Sequence, residues 1–288
     1  MADVSSESSA YHTAHPALSV RTIAAMKAVA RQMLNKDTQI LLRRLYYAGT
    51  RYHCNVCENR VRTRFTAGNP FPVLTELDVV GGESITNDTC PVCFSNSRTR
   101  LLFEYLKREQ GLTRSGSRIK VMHVAPEYGI FARVRADKMV NYVCVDLDPA
   151  GYDVSMDITR CDITSIGYPD DSFDLIICSH VLEHVPDDGL AMRQLCRVLK
   201  PGGAAVLQVP ISASLPHTIE DPSVTDPRER ERRFGQNDHV RIYGADYTDR
   251  LRDSGFRVEI FDPSTAWGAG VVDELRLNPR ERIFVGRK

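Results

Sequence analysis

Residues 119–129 read IKVMHVAPEYG, residues 142–149 YVCVDLDP, residues 172–188 SFDLIICSHVLEHVPDD and residues 197–210 RVLKPGGAAVLQVP. Each piece is a short apolar run followed by turn residues or a helix start. Alternation of this kind predicts a parallel sheet flanked by helices. The runs place strands at Val121–Val124, Tyr142–Val145, Phe173–Cys178 and Ala204–Val209. Helices are expected near Ile130–Asp137 and from Pro186–Asp188 to Leu199. Lys200-Pro201-Gly202-Gly203 is read as the turn into the fourth run. In such sheets ligands sit beyond the carboxyl ends of the strands. Asp146, at the second of those ends, is therefore a candidate for gripping the two hydroxyls of a ribose, with Leu147 beside it.

The pattern SFDLI…VLEHV…RVLKPGG resembles class I S-adenosylmethionine-dependent methyltransferases, over roughly residues 100–288. That resemblance implies an α/β, Rossmann-like fold: a seven-stranded sheet whose last strand, near Arg282–Gly286, runs antiparallel against Arg257–Phe261. It implies S-adenosyl-L-methionine as cofactor, Asp162 near the adenine amino group, Ile163 on the ring, and Ser179 at the fourth strand end. Asp157-Ile158 is a rival for the adenine position, disfavoured by its spacing to Phe173. The first loop departs from the family's D-x-G-x-G-x-G pattern. His123 takes the acidic place, Ala125 the first glycine and Glu127 the second, and only Gly129 remains. Glycine lets backbone approach a ligand closely, so its loss reshapes the methionine end of the site. Glu127 is the candidate carboxylate for the cofactor's ammonium group. Members with an N-terminal ribbon share an APE loop like this one, along with EDP and DHVRIYG segments, as at residues 220–222 and 238–244.

Upstream, Cys54-Asn55-Val56-Cys57 and Cys90-Pro91-Val92-Cys93 form two CxxC knuckles. Four thiolates brought together this way suit a structural zinc, with no open position for catalysis. His53 is expected to stay outside that shell. Arg60, Arg62 and Arg64 alternate as on one strand face, which would suit phosphates. No aromatic platform interleaves them, so nucleic acid ranks behind a small-molecule or glycan acceptor. Cys144, Cys161, Cys178 and Cys196 fall in or near apolar runs and read as small hydrophobes.

Lys+Arg and Asp+Glu balance at 37 each, so no global field draws the chain to nucleic acid or anionic lipid. No apolar run is long enough for a membrane span, and a cytoplasmic location is the default expectation. The chain divides into a disordered leader (1–17), an amphipathic helical segment (18–50), a zinc ribbon (51–97) and, by the resemblance, a methyltransferase domain (98–288). The helical segment is expected to pack its apolar face on its own domain, with homodimerisation as the second option. Ser97–Gln110 reads as the helix joining ribbon to domain. The Pro- and charge-rich insertion 211–243 is a candidate substrate cover.

The expected reaction is O-methylation by metal-independent chemistry with a side-chain base. His239 leads as base, followed by His217, His180 and the Glu220–Asp221 pair; His184 is read as a packing or capping residue. The rival readings are an RNA or protein methyltransferase using the ribbon, and a non-catalytic scaffold with a decayed cofactor site.

Overall fold

The structure, a computed structural model, describes residues 36–68, 70–112 and 118–288. The leader and the first part of the helical segment lie outside the described residues. Lys36–Tyr47 is helical and crosses the division between two units of the chain at Leu42/Arg43. Every contact below lies within Arg43–Lys288. Leu45 is 69% exposed, so the apolar face expected to pack is uncovered at that residue.

Seven strands form the central sheet: β1 (Ile119–Val124), β2 (Val140–Asp146), β3 (Thr159–Arg160), β4 (Phe173–Ser179), β5 (Leu199–Gln208), β6 (Arg257–Phe261) and β7 (Ile283–Arg287). Their spatial order is 6-7-5-4-1-2-3. β1 to β5 pair in parallel, and β7 runs antiparallel to both neighbours. This is the seven-stranded sheet that the resemblance implies. The strand order reverses between β1 and β4, so the loops after β1, β2 and β4 open onto one crevice. Met122, Val124, Ile176, Cys178, Ala205 and Leu207 are buried in the core beneath it.

The helices supply their own ends. In α1 (Ser97–Arg108), the Asn96 side chain accepts from the Thr99 amide at 2.9 Å. Helix α2 (Tyr128–Val134) follows the first loop. The Asp187 carboxylate accepts from the Leu190 amide and starts α3 (Asp188–Val198), within the start expected at Pro186–Asp188. Lys200–Gly203 forms a bulge inside β5 rather than a turn before it, because the pairing with β4 resumes only at Ala204. Gly203 is required there: a Cβ would lie 2.9 Å from the Lys200 carbonyl oxygen and 3.0 Å from that of Asp174.

The insertion is ordered by long-range pairing. Ile211–Ser212 runs antiparallel to Val79–Val80, and Ile219–Glu220 to Arg241–Ile242. Leu74 and Val79 share a small core with Val224, Phe234 and Ile242. Burial of that core brings both segments over the carboxyl ends of the sheet.

Candidate active site

A cavity of about 660 Å³ opens at the ends of β1, β2 and β4, lined by Ala125, Asp146, Leu147, Asp162, Ile163 and His180 among others. Ala125 has φ +49°, so alanine holds a left-handed conformation where the resembled family has glycine. Such strain persists only where the surroundings enforce it, and the Ala125 amide is tied to the Val145 carbonyl at 2.9 Å. Asp146 Oδ1 accepts from the Asp148 amide at 2.8 Å and Oδ2 from the Tyr152 hydroxyl at 2.7 Å. Asp162 Oδ1 accepts from the Thr164 amide and hydroxyl, which hold its pKa below the usual range. Ile163 is buried against the cavity, whereas Asp157 lies before β3 and does not line it. Ser179 is buried, 3.5 Å from the Gln208 side-chain oxygen, and is not part of the lining.

Behind Ala125, His123 is fully buried, with Nδ1 2.5 Å from the Tyr142 hydroxyl and Nε2 2.9 Å from Glu127 Oε2. Burial works to raise the Glu127 pKa, but the His123 bond and charge hold it below the ordinary value. Glu127 Oε1 is buried without a hydrogen-bond partner. Glu127 thus keeps one oxygen unpartnered, although it is not among the residues that line the cavity. Gly129, by contrast, faces away from the cavity and packs on Ser95, Val56 and Cys93.

A second cavity of about 320 Å³ adjoins the first, and His180 and His184 line both. Its wall combines Arg98, Glu183, Glu281 and His239 with residues from the insertion and the ribbon linker. His180 has φ +56° and Nε2 buried without a partner, and its Nδ1 stands 3.3 Å from Glu183 Oε1. Burial pushes Glu183 up to about 8 and Glu281 up to about 7, the latter against the pull of Arg98. Burial, then His184, takes His239 down to about 4, and burial, then Arg98, holds His180 well below its ordinary value. Both rings are therefore neutral at pH 7, with lone pairs available.

His217 is exposed and lines neither cavity. Glu220 pairs with Arg241 at 3.0 Å and Arg250 at 2.7 Å, and Asp221 with Arg233 at 2.7 Å. None of these three candidates lines either cavity; Glu220 and Asp221 line a separate hollow with Pro186, Asp188 and Arg230. Glu183 and Glu281 are the site residues the sequence reading passes over. Glu183 sits in the quoted VLEHV run, but Glu281 has no local signal.

The four knuckle cysteines converge. Cys54 and Cys93 sulfurs lie 3.7 Å apart, and those of Cys57 and Cys90 3.8 Å. A tetrahedral metal with sulfur bonds of about 2.3 Å has sulfur–sulfur edges of about 3.8 Å, so the spacing is that of a tetrathiolate metal centre. Each knuckle turns on a left-handed residue, Glu58 (φ 59°) or Phe94 (φ 62°), four positions past its first cysteine. His53 Nε2 lies 3.1 Å from Glu58 Oε2, outside the sulfur cluster.

The expected arginine face does not form. Arg64 is buried and donates to the His53 carbonyl at 2.7 Å, while Arg62 stacks on Tyr46 at 4.8 Å. Arg100 is fully buried, pairs with Asp88 at 2.6 Å, and also donates to the Leu275 and Arg276 carbonyls. Arg64 and Arg100 are thus drawn into the interior, which leaves only Arg60 and Arg62 of the alternating three exposed.

Residues 122–207 match the model of a methyltransferase domain family. An uncharacterized methyltransferase of Mycobacterium avium is 31% identical over 160 residues, 53% of this chain and 62% of that protein. The 27-O-demethylrifamycin SV methyltransferase of Amycolatopsis mediterranei is 32% identical over 98 residues, 34% of each chain. A ubiquinone/menaquinone biosynthesis C-methyltransferase of Cellvibrio japonicus is 41% identical over 59 residues, 20% of this chain and 22% of that one. The chain thus spans 62% of the first relative's length and much less of the other two. Among solved structures, an S-adenosylmethionine-dependent methyltransferase from Archaeoglobus fulgidus superposes with TM-score 0.41 at 15% identity, covering 65% of this chain and 93% of that one. The family model and these relatives make residues 122–207 similar to a methyltransferase domain. Among the described residues, no helix is long and apolar enough to cross a membrane.

Proposed function

We propose that the chain is an S-adenosylmethionine-dependent methyltransferase that modifies a hydroxyl of a small polar molecule or glycan unit. The observation that carries this reading is the pair of adjoining cavities with His180 and His184 in the wall of both. The larger cavity offers Asp146 for the ribose and Ile163 for the adenine face, and Glu127, just outside its lining, holds the unpartnered Oε1 for the ammonium. When bound, the cofactor supplies an electrophilic methyl on a good leaving group. The protein's task is then chiefly alignment, which can contribute roughly 7–11 kcal/mol.

The smaller cavity holds about 320 Å³, suited to one compact polar acceptor. His180 takes the role of proton acceptor, since its Nε2 is unpartnered and it stands where the cavities meet. His239, the leading base on sequence grounds, lines only the acceptor side and has Nδ1 turned to the Phe234 carbonyl at 3.2 Å. The insertion 211–243 serves as the acceptor's cover. The four cysteines hold a structural zinc that fixes the ribbon against α2, and such unpaired thiolates suit a reducing compartment. The burial of Arg64 and Arg100 supports a small acceptor over nucleic acid.

The test is transfer of labelled methyl from S-adenosylmethionine into pools of small hydroxylated metabolites by the full chain. Asparagine tolerates the left-handed conformation at position 180. His180→Asn should therefore keep cofactor binding and lower turnover 10²- to 10⁴-fold. Undiminished turnover would remove His180 from the mechanism.

A further inference from the structure

Three side chains in the wall of the smaller cavity converge. Glu183, His184 and His239 each offer one ligand atom, all within 4.8 Å of one another. Their surroundings are arranged around the imidazoles. His184 Nδ1 lies 3.2 Å from the Asp238 carboxylate, and His239 Nδ1 lies 3.2 Å from the Phe234 carbonyl. Each ring is thereby oriented with its Nδ1–H toward an acceptor, leaving Nε2 with its lone pair. Metal-binding histidines are held in this manner, with the second nitrogen donating to a carboxylate or a backbone carbonyl. The two rings meet edge to face at 4.7 Å between centroids.

Packing could account for two stacked rings but not for Glu183. It is 1% exposed, and neither carboxylate oxygen has a hydrogen-bond partner among the described residues. A carboxylate in that position costs several kcal/mol unless a cation or a donor set compensates it. His180 Nδ1 stands 3.3 Å from one oxygen without forming a hydrogen bond. The Glu183 backbone amide, and Arg98 and Arg241 at longer range, pull against the burial of the carboxyl without overcoming it.

We propose that Glu183, His184 and His239 form a second metal site, separate from the four cysteines, for a divalent transition-metal ion. Two imidazoles and one carboxylate suit zinc, manganese, iron or cobalt rather than calcium or magnesium. Three protein ligands leave positions open to the cavity, where a hydroxyl or carboxylate oxygen of an acceptor can bind. Metal binding itself does not depend on the methyl-transfer reading; only its use in orienting an acceptor does.

The experiment is metal titration of the full chain, with Co²⁺ and Zn²⁺ as probes. The cysteine cluster binds Co²⁺ with thiolate charge-transfer absorption in the near ultraviolet; the nitrogen–oxygen site gives only weaker visible bands. The wild type should take two equivalents. Glu183→Gln and His239→Ala should take one, keeping the thiolate absorption as proof that the ribbon is folded. Asp238 is half-exposed and ligates nothing, so Asp238→Asn leaves the fold intact and should weaken the second equivalent 10- to 100-fold. A wild type that saturates at one equivalent would overturn the proposal. So would a second equivalent bound equally well by the Asp238→Asn and Glu183→Gln proteins.

Discussion

Gly129 and Ser95 touch: a Cβ built on Gly129 would stand 2.3 Å from Ser95 Oγ and 3.1 Å from Val56 Cγ1. The one glycine left in the first loop therefore serves the junction between α2 and the second knuckle, not the cofactor cavity. Gly129→Ala should destabilise the protein by about 1–3 kcal/mol through overpacking. Ser95→Ala in the same chain should recover part of that loss, a coupling of at least about 0.5 kcal/mol in a double-mutant cycle. Denaturant unfolding measures both.

Arg100 and Asp88 form a buried ion pair, so removing one partner strands the other. Arg100→Ala should cost about 3–5 kcal/mol. Arg62, in the alternation at 60, 62 and 64, only stacks on Tyr46, and Arg62→Ala should cost no more than about 1 kcal/mol. Equal losses in thermal unfolding would contradict the distinction between the two arginines.

Glu281 gives a pH signature. Burial raises its pKa from 4.5 to about 7, so the folded state keeps a proton that the unfolded chain has lost. Between those values stability falls as pH rises, at about 1.4 kcal/mol per unit at most. Glu281→Gln retains the neutral shape without the titration. It should match wild type near pH 4 and exceed it by about 1–3 kcal/mol at pH 8, as read from unfolding curves at both pH values.

The cysteine cluster should respond to chelation. A metal held by the four sulfurs would shield them from thiol reagents, and stripping it would free them. Removing the metal with a strong chelator should expose four fast-reacting thiols and lower the unfolding midpoint. Unchanged thiol counts before and after chelation would mean that no metal is held there.

The sheet was legible because strand and helix periodicities are local and because buried parallel strands read as continuous apolar runs, as in Phe173–Cys178. The loops at the carboxyl ends could be placed for the same reason, which brings Ala125, Asp146, Leu147, Asp162 and Ile163 to one cavity. What escaped depends on distant segments meeting. No local pattern says that Ile211 pairs with Val80, or that Glu281 faces His180 across Gly81. Arginine alternation at 60, 62 and 64 implies a face only if the strand continues, but the paired strand there is just Arg60–Val61. The meeting of Glu183 and His184 with His239 escaped for the same reason, since His239 comes from near the end of the insertion.

The central claim is that the rewired first loop still binds S-adenosylmethionine. Isothermal calorimetry of the full chain with that compound tests it most directly, alongside Asp146→Ala and Glu127→Gln. The account predicts one molecule bound per chain, weakened about 10- to 100-fold by each substitution, as expected for losing a charge-assisted hydrogen bond of about 1.5–3 kcal/mol. No heat of binding from folded wild-type protein, or binding that both substitutions leave untouched, would contradict it.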